Sequence, residues 1–397
     1  SQSTIETAPV KPDDTGKAAV TVETAKVTEA VAEAVKAVEA AKADGKTNAA
    51  AEVVIPIKTE GDAAVKAVEA AIPAEAIKVI AEAKDVILTV ESEVSTITLD
   101  AATLTAIADA AGSGETVTLT AAVVDNSEAL NAKQQAAVGD NPVIELNISV
   151  GDTAITDFSG TVTVSVPYTP KTETAAEDYD LLTVYYLDDN GNIAEMTGAS
   201  YDAETGQITF STTHFSKFFI SEWISPFGDI AKGEWYYKAA RYAYSNGLIT
   251  GVTETTFAPQ TSLTRAMLIT ILARDAGIDT AGGATWYSKA IEWGIANGIT
   301  DGTNPNGEIT REQFATMLYR YAVQELRIEN GELRIANGDV SGYSDAGQIS
   351  EWAYDAMAWA NATGLITGRT ETTLAPQGTA TRAEAATILQ RFIENLI

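Results

Sequence analysis

The sequence predicts a multidomain chain: an N-terminal half that joins an α+β segment to an antiparallel β segment, then a mainly α-helical C-terminal half built as a three-copy repeat. Three observations predict it. Short β-runs alternate with short helical stretches up to about residue 140, and strict period-two alternation takes over from about residue 141. From about residue 226 a Trp, a loop glycine and an Arg recur at fixed spacing, so one supersecondary unit is built three times.

In chain order, residues 1–48 are rich in Ala, Glu, Lys, Val and Thr. Residues 1–17 are expected to be loose, and 22–43 to form an Ala-rich helix with few large apolar anchors. Residues 49–140 read as an α+β module, with strands at 51–57, 85–91, 95–99 and 115–124 and helices at 63–83, interrupted by Pro73, and at 101–111. Residues 141–222 read as an antiparallel β domain, because 143–150, 161–166 and 207–210 alternate cleanly. The run 182–186 followed by Asp189-Asn190-Gly191-Asn192 signals a hairpin. Those turn residues lack the twelfth-position Glu of a calcium-binding EF-hand loop, so they read as a turn, and no metal or cofactor is expected.

The repeated landmarks are Trp235, Gly251 and Arg265, then Trp286, Gly302 and Arg311, then Trp352, Gly368 and Arg382. The expected units are 226–276, 277–323 and 341–397, with an inserted linker at 324–340 that carries a duplicated heptad. Each unit reads helix, loop, helix. The first helix of unit one is expected from Glu234 to Asn246, stopped by Asn246-Gly247, as Asn297-Gly298 and Thr363-Gly364 stop the later copies. Thr264, Thr310 and Thr381 read as N-caps of the second helices, completed to capping boxes by Gln313 and Glu384, whereas Met267 leaves the first incomplete. Unit two departs from the pattern: Gly302 to Arg311 is nine residues, against fourteen in the other copies.

An Arg in the first helical turn faces the positive end of the macrodipole, which is unfavourable by about 0.3–1 kcal/mol. Its appearance three times calls for an anionic partner. Two readings are open: a salt bridge to a carboxylate of the neighbouring repeat, or an anion site in which guanidinium, helix N–H groups and loop glycine hold a ligand carboxylate or phosphate. The tryptophans also have two readings, core packing on the alanine face or a groove wall.

Composition narrows the function classes. Without Cys there are no disulfides, thiol chemistry or Cys-based metal sites, and with His214 as the single His there is little room for Ser–His or His-rich sites. No run of eighteen apolar residues exists to span a membrane. The net charge is −29, of which the repeat region (13 basic, 19 acidic residues) holds −6 and the remainder −23, a poor balance for nucleic-acid binding. No charged-then-apolar leader opens the sequence, so an exported chain would already have lost its signal peptide.

The repeats resemble S-layer homology domains. Unit one carries Phe227-Gly228-Asp229, Trp235-Tyr236, Gly247-Leu248-Ile249-Thr250-Gly251, Phe257-Ala258-Pro259 and Leu263-Thr264-Arg265-Ala266. Unit three carries Tyr343-Ser344-Asp345, Trp352-Ala353, Gly364-Leu365-Ile366-Thr367-Gly368, Leu374-Ala375-Pro376 and Ala380-Thr381-Arg382-Ala383-Glu384. Unit two lacks the aromatic-x-Asp opening. The resemblance implies a pseudo-three-fold helical arrangement with grooves that bind secondary cell wall polymer through a pyruvylated sugar. Carried over, Arg265, Arg311 and Arg382 would meet the ketal carboxylate, Asp229 and Asp345 would accept sugar hydroxyls, and Trp235, Trp286 and Trp352 would wall the grooves beside Gly251, Gly302 and Gly368. Because unit two has lost landmarks, Arg265 and Arg382 are expected to matter more than Arg311. The 141–222 segment also resembles β-rich modules that precede such repeats in bacterial surface proteins.

These readings lead to non-covalent cell-wall anchoring of a secreted, non-enzymatic protein whose N-terminal half is displayed as a spacer or adhesive domain, with other surface-layer proteins as possible partners. Two alternatives are a self-assembling S-layer protein and a surface glycan-acting enzyme. The second has no pair of carboxylates marked as convergent.

Overall fold

A computed structural model of the protein describes residues 2–46, 49–125, 129–325 and 338–396, which divide into two compact units, 1–224 and 225–397. The duplicated heptad falls almost wholly outside the described residues.

The first unit is built on two sheets. One orders its strands Gln2–Thr4, Ala51–Pro56, Val86–Glu91, Thr96–Leu99, Asp157–Pro167, Gln207–His214 and Ser200–Asp202, with the first three parallel and the rest antiparallel. The other orders Ile193–Glu195, Leu182–Leu187, Lys217–Glu222, Val143–Val150, Thr116–Val124, Ala67–Pro73 and Lys17–Thr21, with Thr153–Ala154 paired to Val143–Val150. Val53, Ile55, Leu88, Val162 and Val164 of the first sheet join Val68, Ile72, Leu119, Leu146 and Val184 of the second in one buried cluster. The helices Thr24–Ala43, Ala74–Glu82 and Ala101–Ala110 add Val27, Val31, Ile77, Ile80, Leu104 and Ile107 to it.

Three sequence expectations are corrected here. Residues 1–17 are not wholly loose, since Gln2–Thr4 pairs in parallel with Ala51–Pro56. The helix expected over 63–83 is half strand: Ala67–Pro73 lies between Lys17–Thr21 and Thr116–Val124 with Val68, Ala70 and Ile72 turned inward, and the helix begins only after Pro73. Pairing on both edges overrides the helical preference of its alanines. Position 141 is no domain boundary, because strands on either side of it share both sheets: Val143–Val150 pairs with Thr116–Val124, and Asp157–Pro167 with Thr96–Leu99. Alternation marks a strand without naming its partner.

Asp100 ties helix to sheet. Its carboxylate caps Ala101–Ala110 by accepting the Thr103 amide at 2.8 Å and also accepts the Thr161 amide at 2.8 Å. Gly160 lies against this cap, where a Cβ would stand 2.2 Å from Asp100 Oδ1 and 2.3 Å from the Thr103 nitrogen. Gly160→Ala is therefore expected to destabilise the protein by roughly 2–4 kcal/mol, read as a lower urea midpoint; an unchanged midpoint would show that the cap can move aside.

The second unit holds three helix pairs, Tyr237–Ser245 with Arg265–Asp275, Ser288–Ala296 with Arg311–Glu325, and Tyr354–Ala362 with Arg382–Leu396. Each second helix packs on the first helix of the following repeat, and the last returns to Tyr237–Ser245. Backbone hydrogen bonds close the same circle: the Leu263 amide donates to Ala380 O, Ala380 to Ile309 O and Ile309 to Leu263 O, at 2.8, 3.0 and 2.9 Å. Gly247, Gly298 and Gly364 end the first helices at φ of 67°, 69° and 73°, a left-handed stop that glycine adopts without steric cost. Fully buried Phe257, Phe314, Phe392 and Tyr321 fill this unit.

Candidate functional site

The second helices begin as their sequences direct. The Thr264 hydroxyl accepts the Met267 amide at 3.2 Å, with nothing reciprocated. Thr310 and Gln313 form a reciprocal box at 3.3 and 3.2 Å, as do Thr381 and Glu384 at 3.2 and 2.8 Å. The arginine after each cap turns away from its own helix into the loop of the next repeat.

Their surroundings differ. Arg311 is 4% exposed; its Nε and Nη2 donate to the Leu374 and Thr367 carbonyls at 2.9 and 2.6 Å, and Nη1 donates to Glu384 at 3.3 Å. Arg382 is 5% exposed, donates to the Phe257 and Thr250 carbonyls at 2.7 and 2.5 Å, and lies over the Phe257 ring at 4.9 Å. Burial pushes both guanidinium pKa values down, with Glu384 and Asp229 respectively opposing the shift. Arg265 has neither carbonyl anchor. Its Nη2 pairs with Asp301 at 2.5 Å, and its buried Nε has no acceptor among the described residues. The shortened loop of the second repeat accounts for the difference, since it lacks the segment that presents the Phe257 and Leu374 carbonyls in the other two. Arg265 and Arg311 each pair with a carboxylate of the neighbouring repeat, and backbone carbonyls hold both Arg311 and Arg382.

Glu384 collects three donors beyond Arg311: Nε and Nη2 of Arg369, both at 2.9 Å, and the Thr381 amide. Burial alone would raise its carboxyl pKa, but the Arg369 and Thr381 hydrogen bonds and the Arg311 charge outweigh that and hold it below the usual carboxylate range.

The aspartates of the opening motif hold the loop that follows in their own repeat. Asp229 accepts the Phe257 and Ala258 amides at 2.8 and 2.7 Å, and Asp345 accepts those of Leu374 and Ala375 at 2.9 and 2.7 Å. Both oxygens of each thus bind a loop whose alanine is held at φ of 57° or 51°. Bracing this loop is a structural role of the two aspartates that the sequence reading did not assign. Gly251 and Gly368 serve the same loop, since a Cβ there would fall 2.2 Å from the Thr253 or Thr370 carbonyl oxygen and within 3.0 Å of the Phe227 or Tyr343 ring. In the second repeat Gly302 sits at φ 73°, and Asp279, exposed, binds the Ala281 amide and Lys289 instead of a loop.

The tryptophans also depart from the core reading. The first helix starts at Tyr237, three residues later than expected, so Trp235 precedes it; Trp286 precedes Ser288–Ala296, and Trp352 lies in a short 3-10 turn. They are 62%, 53% and 55% exposed. Trp235 walls a cavity of about 340 Å³ that also takes Arg311, Gly368, Arg369, Glu384 and Arg391. Trp352 walls one of about 420 Å³ with Arg265, Asp301, Gln313, Met317 and Arg320. Each cavity therefore draws on all three repeats. By the same circular logic Trp286 belongs with Arg382 and the Thr250 loop.

A second cation in each copy escaped the sequence reading. Arg274, Arg320 and Arg391 each stand nine residues after a helix-start arginine, a spacing as regular as that of the tryptophans. Arg274 donates to Thr280 at 3.2 Å and Arg391 to the Gly364 carbonyl at 3.2 Å, while Arg320 is exposed and takes no partner among the described residues.

Residues 226–266, 279–315 and 342–386 match the S-layer homology domain. An amylopullulanase from Thermoanaerobacterium thermosulfurigenes is 32% identical over 260 residues, 62% of this chain but 14% of that protein. This share exceeds the repeats, so the likeness extends into the sheet-rich unit. The surface-layer 125 kDa protein of Lysinibacillus sphaericus is 30% identical over 38% of this chain and 13% of its own length. The cellulosome-anchoring protein of Acetivibrio thermocellus is 29% identical over 35% of this chain and 33% of its own. The aligned region thus spans no more than about a third of any of these relatives.

Proposed function

Because residues 226–386 carry three S-layer homology repeats, we infer that this chain attaches non-covalently to the bacterial cell surface through its second unit. The ligand of this reading is a secondary cell wall polysaccharide bearing pyruvate ketals. The observation that carries it is the pairing, in one groove, of an exposed indole with guanidinium groups, as Trp352 stands with Arg265 and Arg320. An indole offers a flat apolar face to a sugar ring, and a guanidinium fork matches a carboxylate. The relatives named for a surface layer and for cellulosome anchoring support a surface location.

In this reading the first unit is the displayed part, a spacer or adhesive domain, and the chain is exported and carries out no reaction of its own. The similarity to an amylopullulanase touches a small share of that enzyme and transfers no activity. A net charge of −29 would repel an anionic polymer at long range, so affinity rests on the local arginines rather than on steering.

Co-sedimentation of the full chain with purified sacculi, before and after chemical removal of pyruvate, tests this. Retention on intact sacculi and release from depyruvylated ones is expected. Equal retention on both would remove the carboxylate from the account, and no retention on either would remove wall anchoring altogether.

A further inference from the structure

We propose that the groove holding Arg265, Arg320 and Trp352 is the one in which this chain takes an anionic glycan, and that Asp301 is the internal counter-ion which the ligand's carboxylate displaces. The proposal rests on the polysaccharide-binding reading above and assigns it to one of three unequal grooves.

A ligand carboxylate must compete with whatever each guanidinium already holds. In the Trp235 groove the incumbent is Glu384, whose side chain is 17% exposed and is bound by Arg311, Arg369 and the Thr381 amide. Displacing it would strand a half-buried charge and open a capping box. In the groove of Arg382 the guanidinium is fixed to two backbone carbonyls and stacked on Phe257, so turning it toward a ligand would leave the carbonyl of fully buried Phe257 without a donor. The second cation there, Arg274, already donates to Thr280.

The Trp352 groove has none of these restraints. Arg265 is held by one ion pair, its Nε lacks an acceptor among the described residues, and the Asp301 side chain is 62% exposed, so it returns to water at little cost. Asp301 also keeps the Thr303 amide and hydroxyl, both at 2.9 Å, when Arg265 leaves it. Neutral Gln313 stands where Glu384 stands in the Trp235 groove, so no carboxylate at that position competes for Arg265, and Arg320, without a partner among the described residues, adds a second cation to the wall. The loss of loop landmarks in the second repeat, which from sequence alone demotes Arg311, is here what frees Arg265, the first-repeat arginine that reaches that loop. The ranking that set Arg382 beside Arg265 gives way to Arg265 alone.

Calorimetric titration of the full chain with a pyruvylated glycan fragment separates the grooves. Trp352→Ala, Trp235→Ala and Trp286→Ala each remove an indole that is more than half exposed, so the fold is spared, and thermal melts verify it. Trp352→Ala and Arg320→Ala should each weaken binding by about tenfold, and the other two tryptophan variants by less than about twofold. Asp301→Asn removes the competing charge and retains an oxygen for Thr303, so it should tighten binding by about two- to fivefold. A dominant loss at Trp235 or Trp286 would overturn the groove assignment while leaving polysaccharide binding intact, and an Asp301→Asn variant no tighter than wild type would overturn the counter-ion role. Absence of wild-type binding both to the fragment and to sacculi would remove the underlying reading and this proposal with it.

Discussion

Residues 225–397 expressed alone are expected to fold and to retain all binding to sacculi, while residues 1–224 fold and retain none. The division between compact units falls between Ile224 and Ser225, and every helix-start arginine and groove tryptophan lies beyond it. Within the second unit the circle closes on itself, since Leu263, Ile309 and Ala380 exchange backbone hydrogen bonds and each second helix finds its partner in another repeat. No strand of the first unit is needed for that closure. The same geometry predicts that removing the third repeat unfolds the rest, because Arg311 and Leu263 then lose their acceptors. Sedimentation assays with the two fragments give the measurement, and wall binding by residues 1–224 would refute it.

Arg382→Ala is expected to lower stability by roughly 2–4 kcal/mol, a drop of about 5–10 °C in Tm, whereas Arg265→Ala should cost less than about 1 kcal/mol. On the helix dipole alone, removing either cation would be mildly favourable. The structure reverses this for Arg382. Its removal leaves the buried Phe257 carbonyl without a donor, ends the stacking at 4.9 Å and opens the space that the buried side chain filled. Arg265 has no carbonyl to abandon, and its partner Asp301 is solvated. Thermal melts of the two variants side by side decide the matter; equal Tm values would mean that the carbonyl anchors contribute nothing.

Much of the architecture was legible in the sequence because it depends on short-range chemistry. The threonine caps, the incomplete box at Met267 and the glycine stops after Asn246, Asn297 and Thr363 involve groups within a few residues of one another, and all appear as read. Most strands of the first unit follow their alternation, and the repeat itself is a matter of spacing.

What only the tertiary structure decided is which groups meet across long separations. Strands on either side of residue 141 share sheets, Asp229 reaches the Phe257 amide, and Trp235 comes to face Arg311 and Glu384. Three arginines that look equivalent in sequence end as one held by two carbonyls, one held by two carbonyls and a half-buried carboxylate, and one held by a solvated ion pair. Local sequence sets backbone conformation through capping, periodicity and left-handed turns. The partner of a side chain, and so its burial and the cost of displacing that partner, is set by how a closed circle of repeats brings distant loops together.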